Sequence, residues 1–435
     1  MAKFFRLVKN EYIKTLKKVS TKIMLVLIIL GAFGVSGVTW LAGMTLNYVN
    51  EEYQTDFSEE IKWAKEAKEE GYEEDVKLYE YLNDNKIKPG SWQAMFAFSA
   101  QSALPAEELY AELDNVIASG DWKAACEFYL EHAATAGQKW EYQYRLDNDI
   151  AFTDEWQSSV ITDVAVAKDT IENLGDEQSA ERTQAEETEK LGLYRLENNI
   201  SVNAADSESI TDLVDNFDTN YWAIFFQSSS LVSLIGLLMI IIAGSSVSNE
   251  FSQGTIKFLL INPVKRWKIL MSKYFMVITM GYLMLALLFL VMIPAAGIFT
   301  GFEGFSASYL YVSDGKVQDM SPFLQAAKLY LLNSVNVVVM ATMAFALSSL
   351  FKSSALAIGA GVFSMMAGST IVEILAMLKQ DWARYLIFAN TNLGDIYQGN
   401  SLFPQHSLTF AIIVIAVHMV VFLLTAWDGF TKREV

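Results

Sequence analysis

Six long apolar stretches divide this chain of 435 residues, at approximately 22–46, 221–247, 269–299, 326–351, 354–378 and 408–427. Each is near or above the roughly 20 residues that a helix needs to cross a hydrocarbon core about 30 Å thick. Only Lys352-Ser353 separates the fourth from the fifth, which leaves room for a tight turn. The pattern predicts an all-α polytopic membrane protein with six transmembrane helices. Ahead of the first stretch, Phe5, Val8, Tyr12, Leu16 and Val19 recur at helical spacing among lysines. Residues 1–21 therefore read as an amphipathic helix lying in the headgroup layer, with 22–46 as the first span. That span is well beyond the roughly 7–15 apolar residues of a signal peptide, so a retained span is expected rather than a cleaved leader.

Residues 47–220 are polar and read as a large, mostly helical domain inserted between spans 1 and 2. Their only prolines are Pro89 and Pro105. Residues 104–132 suggest two helices split at Ala118-Ser119-Gly120, with Asp121 capping the second. Two segments echo each other: 144–150 reads YRLDNDI and 194–200 reads YRLENNI. The repeat would place an arginine and an acid at the same corner of two related hairpins. Further along, Asp314-Gly315 between extended-looking residues signals a hairpin turn. Residues 379–406 are too polar to cross a membrane, and Trp382, Tyr385 and Tyr397 suit its interface.

Charge orients this arrangement. Residues 47–220 hold 40 acidic and 13 basic residues, net −27, while the rest holds 10 and 19, net +9. Seven basic residues and one acid, Glu11, precede or open the first span, and Lys432 and Arg433 close the chain. Excess Lys and Arg beside spans marks the cytoplasmic face, so both termini are expected in the cytoplasm and 47–220 outside. The single cysteine, Cys126, excludes an internal disulfide and reads as a small core residue.

The sequence contains no Walker A loop, HExxH, Gly-x-Ser-x-Gly or Cys/His cluster with metal spacing. No catalytic residue, metal site or bound cofactor is expected in this chain, and any energy must come from a partner. Nucleic acid is not an expected partner; membrane lipid is. Four polar residues within spans are candidates for a translocation pathway: Glu373, Asn333, Asn336 and His418. A carboxylate at membrane depth costs several kcal/mol unless it faces a cavity or partner. Glu373 reads either as such a pathway residue or as one reaching the outer headgroups. The asparagines would bond between helices or line a route. His418 would be a hydrogen-bonded structural residue or a proton relay.

The connection 249–264, between spans 2 and 3, is the most distinctive segment. Residues 252–260 read as a short amphipathic helix with Ile256, Leu259 and Leu260 on one stripe, ended by Pro263. On spacing alone it could be an ordinary basic loop. The order of residues, with Glu250, Gly254-Thr255-Ile256-Lys257, Leu259-Leu260, Pro263-Val264, Arg266, Ile269-Leu270 and Ser272-Lys273, closely resembles the segment after the second span of ABC-2-type transporter permeases. The resemblance covers nearly all of the transmembrane part, with modest support from the elbow-like leader, and 47–220 carries no motif of the family.

The resemblance implies the membrane subunit of a bacterial ABC exporter in the plasma membrane, pairing as a homodimer or with a second permease. A separate ABC ATPase subunit, holding ATP and Mg, would dock on 249–264. Its coupling contacts would be Glu250, Gly254, Thr255, Ile256, Leu259, Leu260, Pro263 and Arg266, with Glu250 passing motion into the spans. The acidity of 47–220 suggests an amphipathic or cationic peptide as substrate, or serves only to keep that domain soluble. A membrane-anchored sensor or scaffold, binding a ligand without transport, is the alternative. An intramembrane enzyme built on Glu373 and His418 would need an accompanying motif that the sequence does not contain.

Overall fold

The computed structural model describes residues 2–52, 56–67, 72–153, 155–175, 179–201, 221–255, 264–302, 305, 308–313, 315–397, 401–403 and 406–432. Among these, six helices are long and apolar enough to cross a membrane: Val19–Met44, Tyr221–Ser252, Arg266–Thr300, Pro322–Leu350, Ser354–Met377 and Leu408–Thr431. They are spans 1 to 6. A leader helix, Ala2–Lys17, precedes them.

Local chemistry fixes several span ends. Pro322 opens span 4 at a first-turn position, where its missing amide costs no helical bond. The Ser407 hydroxyl accepts the Phe410 amide at the start of span 6. Spans 4 and 5 are joined through Phe351, Lys352 and Ser353, the tight turn expected.

Spans 2 and 4 form the centre of the bundle and are the most buried, whereas spans 1, 5 and 6 turn most of their surface outward. Apolar outward faces need no cover when the surroundings are lipid. Small residues set the close approaches. A Cβ at Gly361 of span 5 would come within 2.8 Å of Ile240, and one at Gly37 of span 1 within 3.1 Å of Phe299. Gly34 and Gly359 have no such neighbour, so the glycines of spans 1 and 5 are not all packing positions. At the end away from the leader, Trp222, Phe225, Phe289, Phe323 and Tyr330 interlock edge to face, with centroids 4.7 Å apart for Trp222–Phe323 and 5.2 Å for Phe289–Tyr330. This geometry suits the aromatic quadrupole.

The inserted domain is mostly helical over its described residues. Its first core gathers Leu78, Leu82, Phe96, Leu113 and Phe128. The expected split in 104–132 is present, with helix Ala106–Leu113, a π-helical turn Asp114–Ala118 and helix Trp122–His132. Asp121 caps the last by accepting the Lys123 and Ala124 amides. Helices Ala136–Asn148, Glu155–Leu174 and Ala180–Asn198 pack side by side.

The sequence echo is a repeated helix ending. Asp149 and Asn199 both adopt left-handed backbone, with φ of 56° and 52°. The carbonyls of Arg145 and Arg195 then receive the next amides, as in left-handed helix caps. Both arginines are buried. Arg145 pairs with Glu141 at 3.0 Å, while the corner acid Asp147 accepts a hydrogen bond from Gln143 instead.

The predicted hairpin is present as strands Tyr309–Ser313 and Lys316–Met320, with Val312 opposite Val317. Gly315 has φ of 73°, as the turn demands; Asp314 lies outside the described residues. The hairpin touches helix Ala180–Asn198 of the inserted domain. Between spans 5 and 6, two 3-10 turns, Asp381–Tyr385 and Ile387–Ala389, and a short helix, Leu393–Tyr397, replace a crossing.

Candidate functional site

At the leader end of the bundle, the chain assembles a buried ionic cluster from three distant segments. The leader helix turns Val8, Glu11 and Thr15 inward, at the spacing of one helical face, and lies against span 3. Glu11 is thus carried into the interior. Lys273, two turns into span 3, meets it there: its side chain is 2 % exposed, and Nζ lies 2.9 Å from Glu11 Oε2. The same amine reaches Glu250 Oε1 at 3.1 Å. Lys14 approaches Glu250 from the leader at 3.4 Å. Lys18 stands within electrostatic reach of all four groups, so three cations face two carboxylates. Taking an ion out of water costs several kcal/mol, and only close opposite charges offset it.

Glu250 is the node. It sits in the helical turn Ser248–Ser252 that ends span 2. The Thr255 hydroxyl donates to its other oxygen, Oε2, closing the turn that follows. Gly254 makes that turn feasible, since its φ of 67° is backbone that side-chain-bearing residues rarely adopt. One residue therefore takes contacts from its own turn, from span 3 and from the leader.

This corrects one expectation. The helix containing Ser252 ends at that residue, and 253–255 are a turn with Gly254 in left-handed backbone, so a helix starting at 252 is not continuous through the described residues. Ile256, Leu259, Leu260 and Pro263 lie outside the described residues. Arg266 is partly buried, and its Nη1 donates to the Thr431 carbonyl at the end of span 6. The Trp267–Trp427 stack reinforces that junction.

The four intramembrane candidates do not converge. Asn333 faces Gly394 of the short helix before span 6, whereas Asn336 faces Gly236 of span 2, where a Cβ would lie 3.3 Å from its Oδ1. Both Oδ1 atoms are buried without a hydrogen-bond partner among the described residues. His418 bonds through Nδ1 to the Val414 carbonyl of its own helix at 2.8 Å. Glu373 stands on the exposed face of span 5. Among the described residues, no ion pair reaches it.

Sequence reasoning named Glu250 but gave Glu11 and Lys273 no role. A signal was available for Glu11: it is the one acid among seven bases, and it shares a helical face with Val8, Tyr12 and Thr15. Lys273 closes the run of residues quoted for the resemblance, but on its own a lysine beside a span reads as an orientation charge.

Comparison with known proteins places the transmembrane part. YhcI, an uncharacterized protein of Bacillus subtilis (strain 168), is 38% identical over 253 residues, covering 57% of this chain and 76% of YhcI. YdbK, an uncharacterized membrane protein of the same strain, is 31% identical over 219 residues, covering 50% of this chain and 85% of YdbK. No solved structure matches the chain. The family DUF2705, proteins of unknown function, matches residues 208–435, which hold spans 2 to 6 and the Glu250 turn. With six helices fit to cross a membrane and this match over half its length, the chain is a multi-pass membrane protein that belongs to the DUF2705 family.

Proposed function

We propose that this protein is the permease subunit of a bacterial ABC exporter, moving substrate across or out of the plasma membrane with ATP hydrolysed by a separate ATPase subunit. The observation that carries the reading is the Glu250 node. A docking segment must transmit force, and the turn leading into 256–263 is tied by Glu250 to span 3 through Lys273 and to the leader through Lys14. A partner pushing on that segment would move the end of span 2, the start of span 3 and the leader as one.

In this reading the leader end is cytoplasmic, and the net −27 domain of 47–220 lies outside beside the hairpin. Two such chains, or this chain and a second permease, pair in the membrane. The exposed Glu373 supports pairing, because a carboxylate on an outward face of a span is costly against lipid. The acidic domain favours an amphipathic or cationic peptide as cargo, since it would raise the local concentration of cations over about a Debye length, roughly 8 Å.

The test is purification of the full chain from its own host in mild detergent, with an ATPase assay of the eluate. Wild type should bring down a separate ATPase, and Gly254→Trp and Leu259→Asp should release it. If the chain comes out alone, the exporter reading is lost and a ligand-binding membrane sensor becomes the better account.

A further inference from the structure

Span 2 is not one helix. It is interrupted twice, and a hydroxyl from span 4 meets each interruption. Near the end away from the leader, helix Tyr221–Gln227 passes into a 3-10 turn, Ser228–Ser230. There Ser228 Oγ pairs with Tyr330 Oη at 2.5 Å. Near the leader end, helix Leu231–Ser246 stops at Val247 before the Glu250 turn begins. There the Val247 and Ser248 amides donate to Ser348 Oγ at 3.1 and 2.9 Å.

The carbonyl side of the inner break is satisfied too. Ser246 Oγ donates to the Ala243 carbonyl at 2.8 Å, and Ser248 Oγ to the Gly244 carbonyl at 2.6 Å. Ser348 Oγ in turn donates to Ser248 Oγ at 3.3 Å. Ser228, Ser248 and Ser348 are all fully buried. Broken backbone at membrane depth persists only where such partners exist. Eighteen residues of helix separate Tyr330 from Ser348, about 27 Å at the usual rise and close to the thickness of a hydrocarbon core.

We infer that Ser348 is a positioning residue: its hydroxyl clamps the inner break of span 2 and so fixes the direction in which the Glu250 turn projects. Span 2 between the breaks is a rod held on span 4, which it packs against more extensively than any other pair of elements. The Glu250 turn is a separate short arm beyond the joint. Motion at Glu250 then reaches span 4 through the Ser348 hydroxyl, whose clamped Val247 and Ser248 amides lie three and two residues along the chain from the carboxylate. The functional weight of the clamp rests on the exporter reading; the clamp itself does not.

The experiment uses the full-length chain in lipid nanodiscs. Hydrogen–deuterium exchange is followed in peptides spanning 242–253 for wild type, Ser348→Ala, Ser348→Cys and Ser348→Thr. Loss of the acceptor should speed exchange there about tenfold in Ala and Cys, with span 6 peptides unchanged, and Thr should restore the wild-type rate. In a Cys126→Ala background, nitroxides at Lys17 and Gln253, both exposed, report the arm's direction. Their distance distribution should broaden about twofold in Ser348→Ala and stay narrow in Ser348→Thr. An unchanged distribution and exchange rate in Ser348→Ala, or a Thr variant that behaves like Ala, overturns the clamp. Ser348→Cys nearly preserves volume, so local loosening in it cannot be a cavity effect. The two readings fail separately. A chain that captures no ATPase yet keeps Ser348-dependent exchange loses the exporter alone, whereas one that captures it with exchange indifferent to Ser348 loses the clamp alone.

Discussion

Glu11 Oε2 lies 2.9 Å from Nζ of Lys273, a residue 262 positions away in the chain, and the amine is almost wholly buried. The pair pins the leader helix to span 3. Because Lys273 also binds Glu250, this contact ties the leader to the ends of spans 2 and 3 at once.

Removing the cation should therefore be costly. Lys273→Met leaves Glu11 and Glu250 with the half-exposed Lys14 as their close counter-charge, and the expected loss is about 3–5 kcal/mol of stability. Glu11→Gln in the Lys273→Met background should recover part of it by removing one stranded charge. Thermal unfolding in detergent by intrinsic fluorescence checks both. An equal melting temperature for wild type and Lys273→Met would mean that the pair contributes nothing.

Gly254 has open space around it, so its requirement is conformational rather than steric. Gly254→Ala should cost about 1–2 kcal/mol through left-handed strain, and Gly254→Asn clearly less. The prediction is checked by comparing melting temperatures of the two variants. Ala tolerated better than Asn would contradict the left-handed turn.

The segment between spans 5 and 6 should weaken in acid. His406 bonds through Nε2 to Asn390 Oδ1 and through Nδ1 to Ser401 Oγ, each at 2.9 Å. Burial first, and Arg384 second, push its pKa below the ordinary 6.5. The folded ring thus resists protonation while the unfolded one accepts it. Stability is fully present well above the ordinary 6.5 and is lost as pH drops through that value toward the lower folded pKa. Melting temperature should drop between about pH 7.5 and pH 5.5, and His406→Gln should flatten the slope. A slope that persists in His406→Gln assigns the effect elsewhere.

Cys126 should be inert in the native protein. It is fully buried, and burial pushes its thiol up to about 12. The thiolate that attacks maleimides is then scarce at neutral pH. Maleimide labelling followed by mass spectrometry should find Cys126 unmodified in the folded chain and modified in denaturant. Rapid labelling of the folded chain would show that this part of the inserted domain opens.

The six spans, the amphipathic leader, the helical inserted domain, the turn at Lys352-Ser353 and the hairpin at Gly315 were all legible along the chain. Each depends on spacing or on the backbone demands of one or two residues: apolar length for the spans, Asp121 for a cap, glycine for left-handed turns. The YRL echo was legible too, because a helix ending is a local event, although the partner of Arg145 was not. What only tertiary structure decided is which polar groups meet inside the bundle. Spacing along the chain places Glu11, Glu250 and Lys273 on three separate segments and does not say that they meet. Burial together makes them a cluster, because a charge removed from water must find its counter-charge wherever in the chain that lies. Ser348 is the extreme case, a serine in an apolar helix with no local distinction. Its role exists only because span 2 breaks beside it and leaves two amides that, away from water, need an acceptor.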